Sequence, residues 1–161
     1  MGLRRPCASM TAVNQVVLEH LVMRMAADGR LALTTALEPL PPMADPVRQA
    51  EAAFPGTFTH STSWRWSPDG VLLTFTHVHP DPGSGDRVDP DDDTRLISVL
   101  DLEQLPVACH AVRHLHFLER TDPQVAALAG YDRFWAFAAE VAAHHYPAVA
   151  GLLPGPPEYH I

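Results

Sequence analysis

The chain has 161 residues, of which 47% are hydrophobic, and a formal net charge of −8. A chain of this length is most simply one domain with a sizeable core, and its acidic balance argues against a nucleic-acid-binding surface. No apolar run approaches the roughly 18 residues that cross a membrane, and no signal-peptide apolar stretch follows the N-terminus. We therefore expect one cytoplasmic domain over residues 1–161, with residues 1–12 as a loose arm. The use of Arg for all 11 basic residues indicates a bacterial source.

A hairpin and a short helix are the first predicted elements. Apolar residues alternate along residues 13–25 and 30–38, and the Asp-Gly turn between them is typical of a hairpin. Asp45 then caps a helix over residues 46–54, because Asp is a preferred N-cap residue and Pro suits the first helical position.

A second hairpin, formed by residues 57–66 and 71–80, is predicted on either side of a Ser-Pro-Asp-Gly turn. Two registers are open: a tight turn pairs Trp66 with Val71, and a three-residue loop with a glycine bulge pairs Ser67 with Val71. The first register is favoured because it gathers the large apolar side chains on one face of the hairpin. These side chains are Phe58, Trp64, Trp66, Val71, Leu73 and Phe75.

The same register predicts where the histidines of this hairpin lie. It places His60 opposite His77, and His79 follows on the same face. Neutral imidazoles bind zinc and other transition metals, and three of them with an open position would activate water. A divalent metal held by His60, His77 and His79 is therefore one hypothesis, and histidines that are hydrogen-bonded or face solvent are the alternative.

An acidic loop, a further strand and several helices are predicted in the second half of the chain. Residues 81–94 are rich in Asp, Pro and Gly and are expected to form a flexible surface loop. Residues 95–102 form an apolar strand, and a helix over residues 106–120 begins at a proline. Two further helices are predicted before Pro147, and residues 154–161 are expected to be an irregular tail.

One face of the helix over residues 106–120 is basic. Such a face can hold an anionic ligand, for example a phosphate or a carboxylate, and a solvated polar face is the alternative. Aromatic rings at strand spacing can line a ligand pocket, whereas core packing is their commoner use. The predicted ligand-binding residues are therefore Trp64, Trp66, His110, Arg113 and His114.

The order of elements predicts an α+β domain. Its mostly antiparallel or mixed sheet is built from two hairpins plus one further strand. A short helix follows the first hairpin, and two or three C-terminal helices pack on the sheet.

This order resembles that of a Nudix domain, with the segment DPVRQAEAAFPG at residues 45–56 where the Nudix helix would lie. The resemblance implies that Arg48 matches the signature Arg, but Gln49 replaces the signature Glu. Ala52 and Ala53 fall where the paired glutamates that hold magnesium belong. The resemblance therefore implies a non-catalytic relative of that family.

Two functions from different classes remain open. The first hypothesis is a non-catalytic module that binds a small ligand or a protein partner. The alternative is a metal-dependent enzyme that uses a histidine cluster. The sequence contains no GxSxG motif for nucleophilic catalysis and no GxGxxG motif for phosphate binding. A homodimer is a further possibility, if the strand over residues 13–25 lies at a sheet edge.

Overall fold

The structure, a computed structural model, describes residues 15–81 and 93–149, with side chains up to residue 144. Its strands are β1 (Gln15–Met25), β2 (Leu31–Pro39), β3 (Phe58–Ser67), β4 (Gly70–Val78) and β5 (Arg95–Ile97). Its helices are α1 (Pro46–Ala53), α2 (Pro106–Thr121), α3 (Pro123–Ala126) and α4 (Asp132–Val149), and a 3₁₀ helix spans Asp101–Gln104.

The five strands form one sheet in the order β3-β4-β1-β2-β5. Strands β1 and β4 run parallel, whereas the other neighbouring pairs are antiparallel. The predicted α+β class, with its two hairpins, further strand and mixed sheet, is confirmed. Strand β1 lies at the centre of the sheet, so the predicted route to a homodimer through an exposed β1 edge is wrong.

The two faces of the sheet carry different helices. On one face, here called the α2 face, Leu21 and Met23 of β1 join the large core formed with α2 and α4. On the opposite face, here called the α1 face, Leu18 of β1 forms a small cluster with Phe75 and with Ala50 of α1. This division follows from β1 itself, because successive side chains of a strand point to opposite faces.

The second hairpin has the predicted tight turn, and Trp66 pairs with Val71. Gly70 adopts a φ of +146°, and a Cβ atom built there would lie 1.9 Å from the backbone oxygen of Gln15. The turn therefore needs glycine both for its backbone conformation and for the close approach of β1.

A bulge in β3 changes the faces that the hairpin presents. The register of β3 against β4 shifts between Ser61 and Ser63, so that Thr62 is the additional residue. An extra residue reverses the alternation of side chains, because the period of a strand is two. Phe58 therefore lies on the α2 face and Trp64 on the α1 face, and the prediction that the large apolar rings share one face is wrong.

Two predicted boundaries also differ from the structure. Strand β5 ends at Ile97 instead of extending to residue 102, because the chain turns after Ser98 into the 3₁₀ helix over Asp101–Gln104. The Ser98 hydroxyl oxygen accepts the amide of Asp101 at 3.2 Å, and the Ser98 carbonyl accepts that of Leu102 at 3.1 Å. Helix α4 continues through Pro147, where it was expected to stop.

Parts of the sequence prediction lie outside the described residues. These parts are the arm over residues 1–12, the tail over residues 154–161 and most of the acidic loop over residues 81–94. Within the described residues, each helix is too short or too polar to cross a bilayer.

Candidate functional site

A cavity of about 520 Å³ lies between the α2 face of the sheet and the first turn of α2. This volume falls within the range of about 300–1,000 Å³ that is usual for small-molecule sites. Glu19 and Arg65 are the charged residues that the strands β1 and β3 contribute to it, and Leu21, Leu33 and Leu105 supply apolar surface.

Glu19 and Arg65 form a two-pronged ion pair in this cavity. Arg65 Nη1 donates to Glu19 Oε1 at 2.8 Å, and Arg65 Nη2 donates to Glu19 Oε2 at 2.6 Å. Thr74 Oγ1 donates to Glu19 Oε1 at 2.9 Å. Burial opposes ionisation of Glu19, but the hydrogen bonds from Arg65 and Thr74 outweigh it and lower the pKa of this carboxyl. The carboxylate is therefore ionised, and both of its oxygens are occupied.

The tight turn of the second hairpin is what brings Arg65 to this ion pair. Its register places Arg65 opposite Leu72, and therefore on the α2 face with Glu19, whose neighbour across the sheet is Thr74. The bulge at Thr62 lies beyond Arg65 and brings His60 to the same face. The sequence prediction missed both members of the pair, although a lone carboxylate within the apolar face of β1 was a signal that could have found Glu19.

The rim of the cavity combines Asp93, Arg95 and the first turn of α2. Pro106 at the first helical position has no N–H group, and Leu105 at the N-cap provides no side-chain acceptor. The amides of Val107 and Ala108 belong to the first helical turn, where no intrahelical acceptor exists. The positive end of the helix and the Arg95 guanidinium therefore lie at the same opening.

Beside the cavity, three imidazoles form a row between β3 and α2. The ring centroids of His60 and His114 are 5.3 Å apart, and those of His114 and His110 are 6.1 Å apart, with nearly parallel planes in both pairs. Burial, together with smaller effects of the neighbouring His60 and His110, lowers the pKa of His114 to about 4. Burial also lowers the pKa of His60, against the opposing charge of Asp122. The imidazoles of His60 and His114 are therefore neutral near pH 7.

The histidines predicted as metal ligands do not lie on one face. His60 pairs with Thr76, while His77 pairs with Thr59, so His60 and His77 point to opposite faces. The prediction that His60 lies opposite His77 is wrong, because the bulge between Ser61 and Ser63 shifts the register by one residue between the turn and His60. Within residues 15–81 and 93–144, no group of three or more His, Cys, Asp and Glu side chains is placed to hold a metal ion. Metal binding that involves His77 and His79 stays a prediction.

A different set of partners surrounds His77 on the α1 face. His77 Nε2 lies 2.8 Å from His20 Nδ1, and His20 Nε2 lies 2.9 Å from Glu38 Oε2. Both imidazoles are buried, and the ring of Phe54 lies 4.5 Å from that of His77 and 5.2 Å from that of His20. The sequence prediction missed His20 and Glu38, because nothing in their spacing relates them to His77.

The five residues predicted to bind a ligand occupy three separate places. Trp64 and Trp66 lie on the α1 face with ring centroids 5.8 Å apart, and Trp66 is 71% exposed. His110 and His114 belong to the row on the α2 face. Arg113 lines a groove of about 740 Å³ between α2 and α4. One site therefore does not contain all five, and ligand binding by these residues stays a prediction.

Comparison with known proteins gives no family for this chain. No protein-family model matches the sequence, and no curated protein matches it significantly. The resemblance to a Nudix domain stays a prediction. The geometry of the cavity and of the two polar clusters is therefore the basis for the proposals below.

Proposed function

We propose that the protein is a binding module for a small anionic molecule, a carboxylate or a phosphate with an apolar body. The ligand occupies the cavity at the first turn of α2. The observation that carries the proposal is the Glu19–Arg65 ion pair in a cavity of ligand size. Its two side chains are only 15% and 30% exposed, so the sheet holds a fixed pair of charges where an apolar contact would be the ordinary choice.

The cavity favours binding over catalysis. The described residues that line it include no His, Cys or Ser to act as a base or a nucleophile. Glu19 is a poor base as well, because its pKa is lowered and its oxygens already accept three hydrogen bonds. The row of His60, His114 and His110 lies beside this cavity and does not line it.

The charges that remain available favour an anion. Arg65 is balanced by Glu19, which leaves Arg95 and the amides of Val107 and Ala108 to meet the ligand. Within the described residues, Arg95 makes no ion pair or side-chain hydrogen bond. Asp93 at the same rim favours a ligand that also carries a hydrogen-bond donor, such as a hydroxyl or an ammonium group.

The apolar walls of the cavity favour a ligand with an apolar body in addition to its anionic group. Leu21 and Leu33 are buried residues of adjacent antiparallel strands, and Leu105 lies across the cavity from them. A purely inorganic anion would leave these walls in contact with water. An organic anion with a ring or a short chain covers them, and each buried CH₂ group contributes about 0.8 kcal/mol.

Isothermal titration calorimetry with mandelate and benzoate as probes, and butylammonium as the cationic comparison, tests this proposal. We expect the two carboxylates to bind and butylammonium not to bind. Arg95→Ala should weaken carboxylate binding about tenfold, which corresponds to about 1.4 kcal/mol. The matched control is Arg48→Ala, since Arg48 is an exposed arginine of α1 outside the cavity, and its affinity should be that of the wild type.

Three results would contradict the proposal. The first is butylammonium binding as tightly as benzoate, because the cavity would then select for the apolar body alone. The second is equal weakening in Arg95→Ala and Arg48→Ala, which would indicate a general charge effect. The third is the absence of binding by either carboxylate at millimolar concentration, and a protein partner would then be the remaining prediction for this module.

A further inference from the structure

A continuous line of polar atoms crosses the α1 face from Glu38 to the end of α1. We call it the histidine chain, and it consists of Glu38, His20, His77, Thr59 and Thr57. Its first two contacts are 2.9 Å and 2.8 Å long, and His77 Nδ1 then lies 2.8 Å from Thr59 Oγ1. Thr59 Oγ1 lies 3.1 Å from Thr57 Oγ1, which is 2.7 Å from the carbonyl oxygen of Phe54. All five distances are within the hydrogen-bonding range.

The carbonyl at one end fixes the direction of every hydrogen bond in the chain. A carbonyl oxygen only accepts, so the single hydroxyl proton of Thr57 points to Phe54. Thr57 must then accept from Thr59, whose own proton is used in that bond. Thr59 in turn must accept from His77, so His77 carries its proton on Nδ1.

The same reasoning determines the protonation of His20. A neutral His77 that is protonated on Nδ1 has an unprotonated Nε2, which accepts from His20 Nδ1. The remaining contact, between His20 Nε2 and Glu38 Oε2, also needs one proton. His20 is therefore doubly protonated beside a carboxylate, or it is neutral beside a protonated Glu38. In both cases the histidine chain contains one proton more than a carboxylate and two neutral imidazoles would supply.

We propose that Glu38, His20 and His77 form a buried proton-binding site that holds one additional proton near neutral pH. The proton resides on His20, as an imidazolium paired with the Glu38 carboxylate. Glu38 is suited to this role because its other oxygen, Oε1, accepts a hydrogen bond from Gln49 Nε2 at 2.7 Å. The hydrogen bonds from Gln49 and then from His20 lower the pKa of Glu38, which favours the carboxylate form.

The surroundings restrict the site to a single proton. Burial, together with smaller effects of the charges of His20 and His79, lowers the pKa of His77 to about 4. Burial and, in addition, the charge of Arg24 on β1 lower the pKa of His79, and the groups that face the site from α1 and its C-cap, Gln49 and Phe54, are uncharged. The Glu38 side chain is 33% exposed, so the bound proton exchanges with solvent at that end of the chain.

The site links proton binding to the end of α1. When the proton leaves, the five contacts share four protons, and one contact must lose its hydrogen bond. The longest contact, between Thr59 and Thr57, is the one that opens with least cost. Thr59 then donates to His77 Nδ1, the proton of His77 moves to Nε2, and Thr57, which holds the Phe54 carbonyl, loses its hydrogen bond to Thr59.

Two-dimensional ¹⁵N NMR of the full chain with labelled histidine, near pH 7, measures these ring protons directly. We expect His20 to give the signature of an imidazolium, with both ring nitrogens protonated, and His77 to give that of the neutral Nδ1–H tautomer. Glu38→Gln should make His20 neutral and leave His77 as the Nδ1–H tautomer, because the introduced amide can accept from Gln49 and donate to His20 Nε2. The matched control is Glu51→Gln, which changes an exposed glutamate of α1 and should leave both spectra as in the wild type.

The variant Thr57→Val gives a second measurement that depends less on the charge at Glu38. It removes the hydroxyl that accepts from Thr59, so His77 should convert to the Nε2–H tautomer, while Thr57→Ser should keep the wild-type spectrum. A wild-type His20 with only one protonated ring nitrogen would overturn the proposal. So would a wild-type His77 protonated on Nε2, because the chain would then run in the opposite direction with one proton fewer.

Discussion

The adjacent β1 residues Glu19 and His20 point to opposite faces of the sheet. The two faces provide hydrogen-bond partners for these buried side chains in different ways. On the α1 face, His20 lies within the histidine chain, where each member has one partner on either side. On the α2 face, Glu19 receives three hydrogen bonds from Arg65 and Thr74 alone. The hydrogen bonds of His20 belong to a chain of five side chains, whereas those of Glu19 involve only two partner residues.

This difference explains why we propose a ligand site on the α2 face and not on the α1 face. Every hydrogen bond of the histidine chain depends on the direction of the next, so a molecule inserted between two members would leave buried groups without partners. The Glu19–Arg65 pair is complete without the rest of the cavity, so a ligand can enter beside it at little cost. The structure agrees with this difference: the Phe54 ring packs over His77 on the α1 face, whereas a cavity lies beside Glu19 on the α2 face.

The largest expected effect concerns what both faces share, the close approach of β1 to β4. Gly70→Ala places a methyl group 1.9 Å from the backbone oxygen of Gln15, so β1 must move away from the turn. We expect a loss of about 4 kcal/mol or more in the free energy of unfolding, measured with urea. Gly29→Ala is the control, because Gly29 also has a positive φ but no atom within 4 Å of the added methyl group.

The control variant should lose only about 1–2 kcal/mol, the cost of a left-handed backbone for alanine. Equal losses in the two variants would mean that backbone conformation, and not contact with β1, makes glycine necessary at residue 70.

A second prediction compares a histidine from each face. His77→Ala removes a fully buried ring and leaves His20 Nδ1 without its partner, so we expect a loss of about 3 kcal/mol in the free energy of unfolding. The same change at His114 removes a half-buried ring that stacks on His60, and should cost about 1 kcal/mol. Urea denaturation at neutral pH measures both. Similar losses would show that the two faces do not differ in how strongly their polar groups are coupled.

Much of the fold could be predicted because its signals are local. Asp45 caps α1 as expected, and its carboxylate accepts from the amide of Val47 at 2.9 Å. The turn before Gly70 sets the register of Trp66 against Val71. In each case a few neighbouring residues contain the whole physical cause, so the sequence is sufficient.

The sites could not be predicted because they depend on a bulge that no sequence pattern marks and on contacts between side chains that are distant in sequence. The run of Thr and Ser around Thr62 alternates evenly, so nothing in it shows where an extra residue falls. The pairing of β3 with β4 shows its position, and there Thr62 Oγ1 forms a buried hydrogen bond of 3.0 Å with Thr76 Oγ1. The position of His60 on the α2 face depends on this bulge, whereas the Glu19–Arg65 and His20–His77 contacts depend on the parallel neighbours β1 and β4.

A third prediction tests whether the ion pair on the α2 face is a complete unit. Arg65→Met leaves the Glu19 carboxylate, which is 15% exposed, without its cation, and should cost about 2 kcal/mol. The double variant Glu19→Met, Arg65→Met should recover most of that loss, because two apolar side chains suit a face that Leu21 already shares. Thermal and urea unfolding measure both variants. A double variant as unstable as the single one would show that the cavity needs its charges for folding.

The smallest expected effect is the pH dependence that His114 adds to stability. The pKa of His114 is about 4 in the folded protein, against 6.5 for an unperturbed histidine, so the unfolded state binds the proton first as the pH falls. Stability is therefore full above about pH 6.5 and is lost progressively between pH 6.5 and 4. Because the ring is half-exposed, we expect His114 to contribute only about 1 kcal/mol of this loss. His114→Ala should flatten the curve of unfolding free energy against pH by that amount, and an unchanged curve would mean that His114 is protonated as readily when folded as when unfolded.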